Sequence, residues 1–185
     1  MAQKRFNDEF DNISLDWKHI YSLPYVVALD SKTREFQFKF LNRIIYTNKI
    51  LFKMRIVDSE LCSFCKEEKE SLEHFFFQCK VSRSFWVSLQ QFIASADISI
   101  SPFSIVDIFF GVSKDSAHYL IINHLILTGK QYIYSCKYNE SYQKLPFKPF
   151  LNKLKLIHSI EYNLAKSKGS LQYHLAKWNN FQMML

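Results

Sequence analysis

The sequence predicts a mainly α-helical fold, a small helical domain built around a three-cysteine, one-histidine zinc knuckle and continued by a C-terminal helical extension. Three observations lead there. Large apolar residues recur at three- and four-residue steps in four separate stretches, the period of a buried helical face. No βαβ pattern is visible, and with only 3 glycines in 185 residues no phosphate-cradling loop can be built. Cys62, Cys65, His74 and Cys79 fall close together in an otherwise cysteine-poor chain. With 48% hydrophobic and 22% charged residues there is enough apolar surface for a packed core, and disorder is excluded as the default state.

Residues 1–30 read as a lead-in segment, 31–95 as the zinc-binding domain and 104–185 as the helical extension. The joints fall at Ser95 to Pro102 and Leu145 to Pro149, where proline and small polar residues interrupt the apolar pattern. Between Arg34 and Tyr46, the residues Phe36, Phe40, Leu41, Ile44 and Ile45 mark one helical face, with Phe38 off the stripe. Glu35, Lys39 and Arg43 are spaced by four and share the opposite face, either as a solvated salt-bridging ridge or as phosphate contacts. Phe85, Trp86, Leu89, Phe92 and Ile93 predict a second helix. From Ala117 to Cys136, the stripe Ile122, Leu125, Gly129, Tyr132 and Cys136 predicts a helix packed along another, capped by Ser116 or Asp115. On it Gly129 permits close backbone approach, and Cys136 is a small buried hydrophobe rather than a ligand. A last helix is expected from Pro149 to Lys166, with Phe150, Leu154, Ile157 and Leu164 along one face.

The chemistry lies in Cys62-x2-Cys65-x8-His74-x4-Cys79. A Cys-x2-Cys turn lets two thiolates converge on one ion, and a second pair roughly 9–14 residues later completes a tetrahedron. Five residues of α-helix turn through about 500°, so a break is expected between His74 and Cys79. Cys79 should then precede the helix of Phe85, where the helix dipole favours a thiolate and Lys80 and Arg83 add to it. A redox pair at Cys62 and Cys65 with an ordinary core histidine at His74 is the competing reading. It leaves the clustering unexplained and lacks the βαβ context of redox dithiols. Four protein donors close the coordination shell, so a single zinc ion here is structural rather than catalytic.

The net charge is +7 and unevenly spread. Residues 31–57 hold seven basic groups against one acid and 130–185 nine against two, flanking an acidic, cysteine-bearing centre. That balance favours a polyanionic partner, nucleic acid or an anionic membrane surface, and charge alone does not choose between them; the partner expected is RNA or DNA. Lys32, Arg34, Lys39, Arg43, Lys49, Lys53 and Arg55 form the candidate nucleic-acid-binding block, with Lys137, Lys144, Lys148, Lys153 and Lys155 as a second. Nearby Phe and Tyr rings would stack on the bases of a single strand. No stretch reaches the roughly 18 apolar residues of a membrane span, and the first residues have no secretory apolar core. An intracellular, reducing setting in nucleus or cytoplasm is expected, with no membrane partner. No nucleophile, base and orienting group cluster, so the chain is not read as an enzyme. A protein-docking role without nucleic-acid contact is the alternative.

An aromatic-rich helix (Arg34 to Arg43), then Tyr46-Thr47-Asn48, then Leu51-Phe52-Lys53-Met54-Arg55-Ile56, then Ser59 and the Cys/His cluster, then Phe85-Trp86 follow one another in a fixed order. Over about residues 17–95 that order resembles the zinc-binding region that follows the polymerase in LINE-type non-LTR retrotransposon reverse transcriptases. The tail with Gly129 to Lys137 and Ala176-Lys177-Trp178 resembles the end of such polyproteins. The resemblance implies an accessory module that helps a parent polymerase engage template RNA or target DNA. The polymerase Phe/Tyr-x-Asp-Asp motif itself is missing from these residues.

Overall fold

A computed structural model describes residues 2–10, 13–116, 118–138, 144–182 and 184. They form nine α-helices in order: α1 (Ala2–Glu9), α2 (Trp17–Val27), α3 (Ser31–Leu41), α4 (Asn48–Lys53), α5 (Lys80–Ala94), α6 (Ile105–Phe110), α7 (Tyr119–Cys136), α8 (Phe147–Ser167) and α9 (Leu171–Trp178). A π-helical turn, His74–Gln78, precedes α5, and a 3₁₀ turn, Asn179–Phe181, follows α9. The extended pairing among the described residues is one antiparallel bridge, Leu61 to Lys69. No helix among them is long and apolar enough to cross a membrane.

Local chemistry sets the helix ends. Asp16 caps α2 by accepting from His19 N, and Asp30 caps α3 by accepting from Lys32 N and Thr33 N. Ser104 and Asp107 exchange side-chain and backbone bonds as a capping box on α6. Helix α3 stops at Leu41 because Arg43 adopts φ +56, so that Arg43 N reaches Phe40 O and Ile44 N reaches Lys39 O. Helix α4 ends the same way through Arg55 at φ +59, with Ile56 N bonded to Leu51 O, and α8 through Gly169. This paired bonding normally takes glycine at the left-handed position. Here arginine fills it twice. The early stop corrects the expected face of α3: Phe36, Phe40, Leu41 and Ile45 are buried, but Ile44 lies past the helix and is exposed. Arg43 likewise leaves the ridge of Glu35 and Lys39, which pair with each other in solvent.

Helix α7 is the centre of the molecule and packs against α2, α3, α6 and α9. The sequence predicts one buried stripe; the helix is buried on nearly every side, including Asn123, His124, Thr128 and Lys130. Its start also differs, because it follows a left-handed His118 without a side-chain cap, while Asp115 accepts from Ser113 Oγ. Ala117, the expected first residue, lies outside the described residues. Buried polar groups on α7 are tied to backbone elsewhere: Asn123 bonds both Val112 N and Val112 O, and His124 Nδ1 bonds Val27 O. A Cβ on Gly129 would stand 3.0–3.1 Å from the rings of Trp86 and Phe85, so a side chain there would make those rings give by a few tenths of an ångström.

One apolar core joins the lead-in segment, the cysteine-bearing region and the extension, from Phe6 through Phe40, Phe76, Phe85 and Ile122 to Phe150 and Phe181. Phe40 sits edge-on to Phe76 and Phe109, with ring centres 5.0 and 4.9 Å away. Each such ring, fully withdrawn from water, stabilises the fold by about 1.5–3 kcal/mol. Helix α8 buries Phe150 and Leu154 and half-buries Ile157, but turns Leu164 to solvent and Glu161 inward.

Candidate metal centre and the basic face beside it

The segment from Glu60 to Lys69 folds back on itself. Cys62 N donates to Glu68 O, and Glu70 N to Glu60 O. The hairpin turns at Cys62-Ser63-Phe64-Cys65, where Lys66 takes a left-handed conformation and its N–H closes on Cys62 O. Backbone N–H groups of Phe64 and Cys65 donate to the Cys62 sulfur, the arrangement that steadies a thiolate ligand.

His74 and Cys79 arrive by a different device. The expected break between them is not there. Cys79 N bonds His74 O at 2.7 Å, a five-residue step, so the π-helical turn brings the two residues to one side where an α-helix would separate them. The chain leaves the turn at Cys79 itself, whose extended ψ of 131° makes it the N-cap residue of α5, as expected.

The four ligand atoms lie within 4.8 Å of one another, with Cys62, His74 and Cys79 buried and Cys65 half-buried. Cys62 Sγ is 3.8 Å from Cys79 Sγ, and Cys65 Sγ is 3.4 Å from His74 Nε2. A tetrahedral zinc with Zn–S near 2.3 Å and Zn–N near 2.05 Å has edges of about 3.8 Å for S–S and about 3.6 Å for S–N. The donors fit zinc in kind, number and spacing. Cys62 bonds Cys79 rather than its motif neighbour Cys65, which disfavours a Cys62–Cys65 redox pair. The Cys79 thiol is lowered to about 5, first by the bond it accepts from Cys62 and then by backbone N–H groups of Val81 and Ser82, against the effect of burial. Cys62, which supplies that proton and is itself buried, is pushed up. Metal binding releases such a proton. Cys136 stays apart, buried on α7.

Glu70 ties this centre to the rest of the molecule. Fully buried, it accepts from Ser63 N at 2.6 Å in the knuckle, from Asn48 N at 2.7 Å in the first turn of α4, and from Lys137 Nζ just past α7. Lys137 also donates to Tyr46 O at 3.0 Å. Lys137 is thus withdrawn from the second phosphate-binding block that the sequence suggests. A second buried pair closes the far end: Lys177 bridges Glu161 and Val27 O, and Trp178 Nε1 donates to Glu161 at 2.8 Å. Neither pair was visible in local patterns. The one available signal was that Glu161 is one of two acids among the last 56 residues, 130–185.

Of the first basic block, Lys32, Lys49, Lys53 and Arg55 are exposed and make no ion pair among the described residues. Arg34 donates to Ala28 O at 2.8 Å and lies over the Tyr25 ring, and Lys39 pairs with Glu35. Arg43 is the most enclosed, over the Phe6 ring and paired with Glu9 and Glu73. In the second block Lys144, Lys148 and Lys155 are exposed, while Lys153 is half-buried and bonds Gln131.

Residues 7–86 match the family described as zinc-binding in reverse transcriptase, a span that contains all four donors and the whole first basic block. No curated protein matches the chain.

Proposed function

We propose that the chain carries one structural zinc ion and serves as a nucleic-acid-associated accessory module of a LINE-type reverse transcriptase, working beside the polymerase inside the cell and catalysing nothing itself. The observation that carries this reading is the donor tetrahedron lying inside the matched residues 7–86, next to a basic segment whose Lys32, Lys49, Lys53 and Arg55 are unpaired. Four protein donors leave zinc no position for a substrate, so its contribution is to hold the knuckle. Unpaired cations on a rigid frame supply counterion-releasing contacts to RNA or DNA. The test is fluorescence anisotropy of zinc-loaded protein with labelled single-stranded RNA and DNA. Micromolar or tighter binding in roughly 50 mM salt is expected, weakening with a log–log slope of about 0.7 per phosphate contacted. Absence of binding to either polymer overturns the reading.

A docking role has its own support. Leu156, Ile160 and Leu164 recur every four residues on α8 and are 62%, 50% and 40% exposed. The occupant under this second reading is the polymerase region of the parent element. Co-sedimentation of purified polymerase region with wild-type chain, abolished by Ile160→Asp and independent of salt, favours docking over nucleic-acid contact.

A further inference from the structure

We propose that a single-stranded polynucleotide lies across two adjoining clefts on the face formed by α3, α4 and the turn between them, its phosphates in one cleft and a base against Tyr46 in the other. This rests on the nucleic-acid reading above and assigns it a place. The first cleft, about 310 Å³, is lined by Arg5, Arg43, Lys49 and Lys53, with the hydroxyls of Thr47 and Ser71. Lys49 and Lys53 stand one turn apart on α4, and neither they nor Arg5 make an ion pair among the described residues. Glu73, the acid in that lining, is taken up by Arg43 at 2.8 Å. Three free cations and two hydroxyls around one hollow suit an anion with several oxygens.

The second cleft, about 350 Å³, has a different lining: Lys32, the Glu35–Lys39 pair, whose charges offset each other, Phe36, Ile44 and Ile45, and the rings of Tyr46 and Tyr134. Ile45 borders both clefts, so they meet along residues 44–47. Tyr46 is 51% exposed there, an aromatic ring at a cleft edge beside lysines. A base in a duplex is already stacked on both faces; an unpaired base is free to stack on such a ring. The combination therefore selects single strands over duplexes.

The backbone dividing the clefts is also the part of this face tied to the metal centre. Tyr46 O accepts from Lys137, Asn48 N donates to Glu70, and Glu70 accepts from Ser63 within the knuckle. The zinc ligands thus hold the residues between the phosphate cleft and the stacking cleft in register.

The experiment uses the full zinc-loaded chain and anisotropy with four probes: a 12-nucleotide single strand, the same strand with abasic sites, a duplex of equal length, and poly-glutamate. Lys49→Ala/Lys53→Ala is expected to weaken single-strand binding at least tenfold and to lower the salt slope by about 1.4, two phosphates at roughly 0.7 each. Tyr46→Ala is expected to weaken it by roughly 5- to 150-fold with the salt slope unchanged, and to leave abasic-strand binding unchanged. Lys166→Ala/Lys168→Ala, on the far end of α8, serves as the charge-matched control. Unchanged zinc content and melting show that each variant is folded. Binding that survives both cleft variants overturns this placement while the proposed function stands. Equal affinity for duplex, or preference for poly-glutamate, overturns the single-strand assignment. Failure of every probe overturns the proposed function itself.

Discussion

Between Glu60 and Cys79 the chain buries Cys62, Phe64, Leu72, Phe75 and Phe76 together with a carboxylate and an imidazole, and it has one β-bridge and one π-helical turn to organise them. Between Tyr119 and Trp178 it buries a whole helix on nearly all sides, with Phe150, Leu154 and Trp178 packed around it. The first region is specified by donors that must meet at a point; the second by area removed from water. An apolar core loses stability in increments, because each ring is one contributor among many. A metal centre loses it at once, because four ligands share one ion.

With the proposed zinc ion in place, its removal is the largest perturbation available. Structural zinc binds small modules with an apparent ~10–16 kcal/mol at neutral pH, as much as the net stability of a whole domain. Chelation, Cys65→Ser or His74→Ala should abolish stoichiometric zinc and lower the melting temperature by more than about 10 °C. Hydrogen exchange should show protection lost across residues 60–79 while the amides of α7 stay protected. Equal loss in both regions would erase the distinction between them.

The two buried lysine–carboxylate pairs sharpen the comparison. Glu70–Lys137 joins the knuckle to α7, whereas Glu161–Lys177 lies wholly within the C-terminal layer and α2. Truncating one partner leaves the other charge buried and uncompensated, at a cost of about 3–5 kcal/mol. Glu70→Ala and Glu161→Ala should each lower the melting temperature by roughly 6–20 °C. Only Glu70→Ala should also weaken zinc in a competition titration. The double substitution Glu70→Leu/Lys137→Met, which removes both charges, should recover most of the stability but not the register of Ser63 and Asn48.

Acid should reach the second region by its own route. Burial, helped by the charge of Lys177, holds His124 at about 4, below its ordinary 6.5. The unfolded chain then binds the extra proton first, so stability is complete above pH 6.5 and is lost as pH falls towards 4. The full difference is about 3 kcal/mol, of which roughly 2 is lost by pH 5. Melts at pH 7 and pH 5 should differ by several degrees more in the wild type than in His124→Gln, whose amide still reaches Val27 O. Acid sensitivity remaining in that variant belongs to His158 and His174, which burial also holds below the ordinary histidine value, and to the zinc donors, which compete with protons.

What the sequence made legible divides along the same line. The donor set could be read because its four residues are local and chemically distinctive, and the helical class because period survives in a linear pattern. The route by which His74 meets Cys79 could not, because widening a helix to a five-residue step leaves no mark on composition. Lys137 looked like a surface cation because its partner Glu70 is 67 positions away. Lys130, buried against Gln37 and the Phe40 ring, is hidden in the same way by a separation of 93. Helix α3 appeared longer than it is because a left-handed terminus is expected to announce itself with glycine, and here Arg43 occupies it.

Arg55 allows the smallest test, with the opposite sign. It holds φ +59 at the end of α4, is exposed and makes no ion pair, so its side chain gives the folded chain nothing that offsets the left-handed backbone. That conformation costs an L-residue about 1 kcal/mol relative to glycine, less glycine's greater freedom when unfolded. Arg55→Gly should raise the melting temperature by about 1–3 °C with zinc affinity unchanged. At Arg43 the same change should destabilise instead, because its guanidinium is paired with Glu9 and Glu73 and lies on Phe6. If Arg55→Gly stabilises the fold yet lowers affinity for single strands and reduces the salt slope by about 0.7, the strain at Arg55 is explained by a phosphate contact. A stabilised variant with undiminished affinity would instead remove Arg55 from the basic face and leave Lys49 and Lys53 to carry that end of α4.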